Sequence, residues 1–155
     1  MKGNDKILEQ LNARLADELS AINQYMVHSE MCADWGYEEL HEAIEKRAID
    51  EMKHAEKLIG RIIFLEGRPI VSNLRPIHIG ADVKAQIEND KNAETQAVQD
   101  YNADIKLAVE LDDNGTREML ESILGDEEVH LDWLESQLDQ IDQMGIQVYL
   151  GQQLS

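Results

Sequence analysis

Two Glu-x-x-His pairs, Glu51-Met52-Lys53-His54 and Glu127-Glu128-Val129-His130, are the residues in this chain best suited to chemistry. Residues i and i+3 share one face of a helix. Glu51 and His54 continue an apolar stripe that reaches Leu58, and Glu127 and His130 fall between Ile123 and Leu134. Both pairs therefore point inward. Two single carboxylates do the same: Glu18 lies between Leu15 and Ile22, and Glu94 lies seven residues after Ile87 and seven before Tyr101. The differences 94 − 18, 127 − 51 and 130 − 54 are all 76, so each half of the chain supplies Glu and then Glu-x-x-His at the same offsets. Four ionised carboxylates in an apolar interior are very costly unless cations accompany them. Two divalent ions supply the +4 that cancels the charge. Carboxylate oxygen and imidazole nitrogen suit iron, manganese or zinc, and bridging carboxylates hold two ions about 3.5–4 Å apart. One such pair in an acidic helical protein is usually a solvated surface feature. Two pairs and two matched glutamates at a single offset point to a dinuclear metal site.

Four long periodic segments must position these groups. The first covers about 5–34, with Leu8, Leu11, Leu15, Ile22 and Met26 at helical spacing, and ends at Trp35-Gly36. The second covers about 38–66, with Leu40, Ile44, Leu58, Ile62 and Leu65 on one stripe, and is followed by Gly67. The third covers about 82–111, carrying Val83, Ile87, Tyr101, Ile105 and Ala108, and Asp112-Asp113-Asn114-Gly115 is a turn signal. The fourth covers about 116–144, with Leu120, Ile123, Leu134, Leu138 and Ile141, and a short segment at about 146–152 follows Gly145. Both prolines, Pro69 and Pro76, fall in the connection 67–81. Two short turns and one long connection imply two helical hairpins joined by a crossover. The fold class is therefore all-α, a ferritin-like four-helix bundle in a single domain, 1–155, and the inward Glu and Glu-x-x-His set is the known ligand pattern of that architecture.

Composition narrows the partners. The chain has 155 residues and carries a net charge of −18 from 32 acidic and 14 basic residues. Such a surface repels nucleic acid and anionic membranes, so neither is expected as a partner. No apolar run approaches the ~18 residues of a membrane span. Cys32 is the only cysteine, and the opening residues lack the basic and apolar regions of a signal peptide, which together imply a cytoplasmic protein.

Several stretches resemble the bacterioferritin family: Met1-Lys2-Gly3, Ala21-Ile22-Asn23-Gln24-Tyr25, Asp50-Glu51-Met52-Lys53-His54-Ala55, Phe64-Leu65-Glu66-Gly67, and Asp126-Glu127-Glu128 with His130. The resemblance covers essentially the whole chain. It implies that Glu18, Glu51, His54, Glu94, Glu127 and His130 bind two iron ions per subunit as a ferroxidase centre. It further implies a hollow homo-oligomeric shell of 24 subunits that oxidises Fe(II) with O2 or H2O2 and stores Fe(III) mineral. Met52 lies about 100° round the helix from Glu51 and so faces away from the metal core. In the family such a methionine is an axial ligand of haem b, one from each of two subunits. The implied role is electron transfer into the mineral, from a small ferredoxin, for iron release.

Tyr25, seven residues after Glu18, belongs beside the site, either as a packing residue or as an electron source during oxidant reduction. Trp35 and Trp133 carry the same two readings. Asp50 and Asp126 precede the ligand glutamates and face the cavity in the family, where a nearby histidine helps form an inner iron site. Lys46 occupies that histidine's place here, which argues against the inner site and favours iron passing through the centre. Asp34, Glu66, Asp132 and Asp139 resemble acidic pore residues. Two readings compete with this one. A haem-free diiron oxidase or peroxidase of the rubrerythrin type lacks support from any Cys-x-x-Cys pair, and a metal-free structural helical protein would tolerate loss of Glu18, Glu94 and His130.

Overall fold

Asn4 opens the first helix: its side chain accepts a hydrogen bond from the Lys6 amide at 2.8 Å, satisfying a donor that the helix leaves free. The computed structural model describes residues 1–154, and five helices lie within them. They are α1 (Asp5–Asp34), α2 (Glu38–Phe64), α3 (Val83–Glu110), α4 (Asn114–Met144) and the short α5 (Ile146–Gly151). Asp82 caps α3 through the Ala85 amide at 2.8 Å, and Asp113 caps α4 through the Thr116 amide at 3.0 Å.

Three helices end in the same way. A residue in the left-handed region follows the cap, and its amide and the next one return to the last carbonyls. At α1 this residue is Gly36 (φ 84°), with the Gly36 amide donating to Ala33 and the Tyr37 amide to Cys32. At α2 it is Glu66 (φ 61°), with bonds to Ile63 and Ile62, so the helix stops two residues before the expected 66. At α3 it is Asp112 (φ 57°). There the Asp112 and Asp113 amides return to Val109 and Ala108, and the Asp113 side chain caps the next helix, which starts at Asn114 instead of 116.

The helices α1 and α2 form one hairpin and α3 and α4 the other, while α1 faces α3 and α2 faces α4. Cross-helix pairs run in opposite senses: Arg14 meets Asp104 whereas Tyr25 meets Glu94, and Arg61 meets Thr116 whereas Glu51 meets His130. All four neighbouring pairs are therefore antiparallel. That requires the connection between α2 and α3 to return along the bundle, and it does so against α1. The Asn12 side chain bonds the Arg68 carbonyl and the Ile70 amide, Ser20 Oγ accepts from the Arg75 amide, Gln24 from His78 and His28 Nε2 from Gly80. Polar side chains thus hold the crossover over sixteen residues of α1, about 24 Å of helix.

The core is split. Leu11, Leu15, Leu58, Ile62, Leu120 and Ile123 pack one end, and Leu40, Ile44, Ile87, Leu134, Ile141 and Tyr149 the other. On every long helix the candidate polar residues sit between these two apolar ends. Met26, expected on the buried stripe of α1, is instead exposed, together with its neighbour Val27. Its position turns it toward a groove on the outer side of α1 and α2.

Candidate metal centre

All six expected groups converge. Glu18, Glu51, His54, Glu94, Glu127 and His130 come from four helices, and each is only 1–6% exposed. They fall into two sets whose donor atoms lie within 4.8 Å of one another: Glu18, Glu51, His54 and Glu127, and then Glu51, Glu94, Glu127 and His130. Glu51 and Glu127 belong to both. The 76-residue repeat is thus a spatial near-twofold, with one histidine and one private glutamate on each side of two shared carboxylates.

Each of the six turns a buried atom to the centre that makes no well-aligned hydrogen bond: Glu18 Oε2, Glu51 Oε1, His54 Nδ1, Glu94 Oε2, Glu127 Oε1 and His130 Nδ1, with His54 Nδ1 2.8 Å from Glu127 Oε1 and His130 Nδ1 3.0 Å from Glu51 Oε1. Buried polar atoms are ordinarily satisfied by well-aligned bonds, and six such atoms facing one centre have the chemistry and the crowding to hold a pair of cations. The opposite atoms are held. Tyr101 donates its hydroxyl to Glu18 Oε1 at 2.5 Å, and Tyr25 donates to Glu94 Oε1 at 2.6 Å. The His54 and His130 Nε2 atoms bond Asp126 at 2.8 Å and Asp50 at 2.9 Å. An aspartate on Nε2 fixes the ring and leaves Nδ1 for the centre, a common arrangement behind metal-binding histidine.

The packed carboxylates and imidazoles shift one another's protonation. Burial and the neighbouring Glu18 and Glu94 charges push the Glu51 carboxyl well above the usual range, and burial with Glu51 and Glu94 does the same to Glu127. Burial also pushes Glu94 up, but bonds from Glu127 and His130 and the charge of Arg47 outweigh it and hold Glu94 at about 2. Burial disfavours imidazolium, yet Glu127, Glu18 and Glu51 hold His54 protonated far above its ordinary value, and Glu94, Glu127 and Asp50 raise His130. Burial and Glu94 raise Tyr25, while burial and Glu18 raise Tyr101.

The arrangement fits the family comparisons. A ferritin-like domain model matches residues 8–144. The chain is 40% identical to the bacterioferritin of Brucella melitensis over 149 residues, covering 96% of this chain and 92% of that protein. It is 39% identical to the bacterioferritin of Mycolicibacterium paratuberculosis, covering 100% and 98%, and 40% identical to that of Rhodobacter capsulatus, covering 95% and 91%. This chain belongs to the bacterioferritin family.

Within this bacterioferritin-family chain, the sequence reading missed some neighbours of the centre. Tyr101 was assigned only to the apolar stripe, although 101 − 25 is again 76, the offset that pairs Glu18 with Glu94. Asp50 and Asp126 differ by 76 as well, and the structure places each behind the other half's histidine. Arg47 was not singled out. It is buried four residues before Glu51, bonds Asp90 at 3.3 Å, and stacks its guanidinium 4.2 Å from the Tyr25 ring centre and 5.6 Å from that of Trp133. Asp90 also takes bonds from Gln24 and His28.

The remaining expected positions lie away from the centre. Met52 is 46% exposed and lines a groove of about 850 Å³ with Ile22, Met26, Met31, Trp35 and Ile49. Trp35 therefore sits with Met52, whereas Trp133 borders a cavity of about 360 Å³ with Lys46, Asp50, Asp126 and His130. A larger cavity of about 570 Å³ reaches Glu18, Glu51, Glu94 and Glu127 from the α1/α3 side. Asp34, Glu66, Asp132 and Asp139 are exposed on this chain. No described helix is long and apolar enough to cross a membrane.

Proposed function

We propose that this chain binds two Fe(II) ions at the six-residue centre, oxidises them and passes Fe(III) to a mineral stored inside a 24-subunit homo-oligomeric shell. The observation that carries the reading is the pair of buried donor sets sharing Glu51 and Glu127, with a donor atom of every member turned to one centre. Each Fe(II) substrate ion takes one histidine Nδ1, one private glutamate and the two shared carboxylates. Tyr25 and Tyr101 fix the private glutamates, and Asp126 and Asp50 fix the histidines. Two Fe(II) yield two electrons, which with two protons reduce O2 to H2O2 or H2O2 to two waters. Tyr25, bonded to Glu94 and stacked under Arg47, either packs beside the centre and holds Glu94 or also gives an electron to the oxidant.

Cavities on opposite faces, α1/α3 and α2/α4, support passage of iron through the centre. On the second face Lys46 stands beside Asp50 and Asp126, and both aspartates are already committed to histidine. A cation there disfavours a further iron site. Apolar side chains left exposed in the groove and on the crossover (Met26, Val27, Ile49, Val71, Leu74) support burial between subunits. The acidic Asp34, Glu66, Asp132 and Asp139 would line iron entry paths in that shell, and the expected location is the cytoplasm.

The groove also fits a haem. It is apolar, and it presents an exposed thioether, a soft donor suited to haem iron. One chain offers one Met52, so Met52 from each of two subunits would hold the group. Bound haem b would provide a one-electron relay from a small ferredoxin to the stored mineral, for which Met52 holds the group and Ile22, Met26 and Ile49 exclude water. Purified wild-type protein should show a Soret band that Met52→Leu abolishes while the Fe(II) oxidation rate persists. Stopped-flow aerobic oxidation should show a fast phase of about two Fe(II) per chain, lost in Glu51→Ala and Glu127→Ala. An unchanged fast phase in both variants would refute the function.

A further inference from the structure

A second constellation of metal-binding types lies outside the centre. His41 on α2 is held by the backbone of α1: its Nδ1 stands 3.1 Å from the Ser29 carbonyl oxygen and 2.8 Å from Ser29 Oγ, and that hydroxyl donates to the His41 carbonyl at 3.1 Å. A carbonyl oxygen only accepts, and the serine proton is already given away. The ring proton of neutral His41 therefore sits on Nδ1, and Nε2 presents a lone pair. That lone pair faces Glu45, one turn on, whose Oε2 is 3.7 Å away. Glu30, next to Ser29, is the third member, and one ligand atom from each of the three residues lies within 4.8 Å of the others.

The spacing leaves room for an ion. A separation of 3.7 Å is too long for a hydrogen bond. Two donors each about 2.1 Å from a common ion at a tetrahedral angle stand about 3.4 Å apart. The central site contains intervals of this length, with His54 Nδ1 3.7 Å from both Glu18 and Glu51 and His130 Nδ1 3.6 Å from Glu94, beside shorter ones of 2.8 Å from His54 Nδ1 to Glu127 and 3.0 Å from His130 Nδ1 to Glu51. Two carboxylates and an imidazole nitrogen converge, and among the described residues no Lys or Arg is paired with them. The backbone clamp on Nδ1 repeats, with a carbonyl, the aspartate clamp on the central histidines.

We propose that Glu30, His41 and Glu45 form a separate surface site for a divalent first-row transition-metal ion. Imidazole selects Zn(II), Co(II) or Fe(II) over Mg(II) and Ca(II), and exposure of the two glutamates leaves room for water in the remaining positions. His41 lies ten residues before Glu51, about 15 Å along α2, so no residue is shared with the centre. Glu30 and Glu45 also border the Met52 groove, which places the ion at its margin.

Anaerobic equilibrium dialysis of the intact protein with Co(II) tests the site. Wild type should hold three tight equivalents per chain, and His41→Ala should hold two with an unchanged Fe(II) oxidation rate. A Glu30→Gln, Glu45→Gln double variant retains the Ser29 clamp and should lose the same equivalent, which covers the case that His41→Ala unfolds. The Glu51→Ala, Glu127→Ala protein should keep one. That last result separates this site from the proposed ferroxidase, because it persists whether or not the centre works. Equal Co(II) binding in wild type and the glutamine double variant would overturn the proposal, as would a wild-type count of two. Either outcome would make His41 a plain ion-pair partner of Glu45.

Discussion

Loading the centre with two dications should expel about four protons. Burial and the surrounding carboxylates push Glu51 and Glu127 toward the neutral acid, and the carboxylates push His54 and His130 toward imidazolium. With all four groups protonated they together carry +2. With metal bound they must become two carboxylates and two neutral rings, carrying −2, because only deprotonated donors bind metal. The difference is four protons leaving for four positive charges entering, and the net charge of the dry interior stays constant. Linkage then makes affinity rise with pH by about two powers of ten per ion per unit while all four groups are protonated. Zn(II) is the suitable probe because it has no redox chemistry, and the His41→Ala background confines binding to the centre. Titration in weak buffer near pH 7 with an indicator dye gives the proton count directly. A release of one proton or fewer per two Zn(II) would refute the reasoning, since it would mean that the interior tolerates uncompensated carboxylates before metal arrives.

Tyr101→Phe removes the hydroxyl bonded to Glu18. The loss should cost about 1.5–3 kcal/mol as a hydrogen bond to a charged group, seen as a lower thermal midpoint of the metal-free protein and weaker Zn(II) binding. Asp126→Asn should lower metal affinity about 10–100-fold through misorientation of His54, with helix content unchanged by circular dichroism; unaltered affinity would disprove the clamp. Asp113→Ala removes the α4 cap and the bond to Arg61, at a cost of about 1–2 kcal/mol. Burial opposes it, but Thr116 and Arg61 hold the folded Asp113 pKa below its ordinary 3.8. Its contribution is therefore complete above that value and lost as pH falls through the folded one. The wild-type advantage in denaturant titrations should be full at pH 6 and shrink below pH 4.

Much of this was legible because helical periodicity and ligand spacing obey the same 3.6-residue rule. Glu18, Glu51, His54, Glu94, Glu127 and His130 all interrupt apolar stripes, and a carboxylate in a stripe has no cheaper explanation than a cation beside it. Helix ends were legible to within two residues. The misses are at Glu66 and Asp112, where residues with side chains adopt the left-handed conformation that the sequence reading reserved for glycine. Met26 was misplaced because periodicity gives a face but not its partner, and the outer face of α1 and α2 is apolar without being covered in one chain. The crossover's route along α1 was hidden, since Asn12, Ser20, Gln24 and His28 read as scattered polar residues until 68–80 lies beside them. Arg47, a buried cation, resembles a surface residue in any one-dimensional pattern. Tyr101 was different: the repeat of 76 held the signal, and an apolar reading of tyrosine concealed it.

The account stands on Glu51 and Glu127 being shared between two ions. Anomalous diffraction from crystals soaked anaerobically with Fe(II) or Zn(II) addresses this most directly. Two peaks about 3.5–4 Å apart, each beside one histidine Nδ1 and with both glutamates spanning them, are the expected result. A single central peak, or ions found only on the surface, would contradict it.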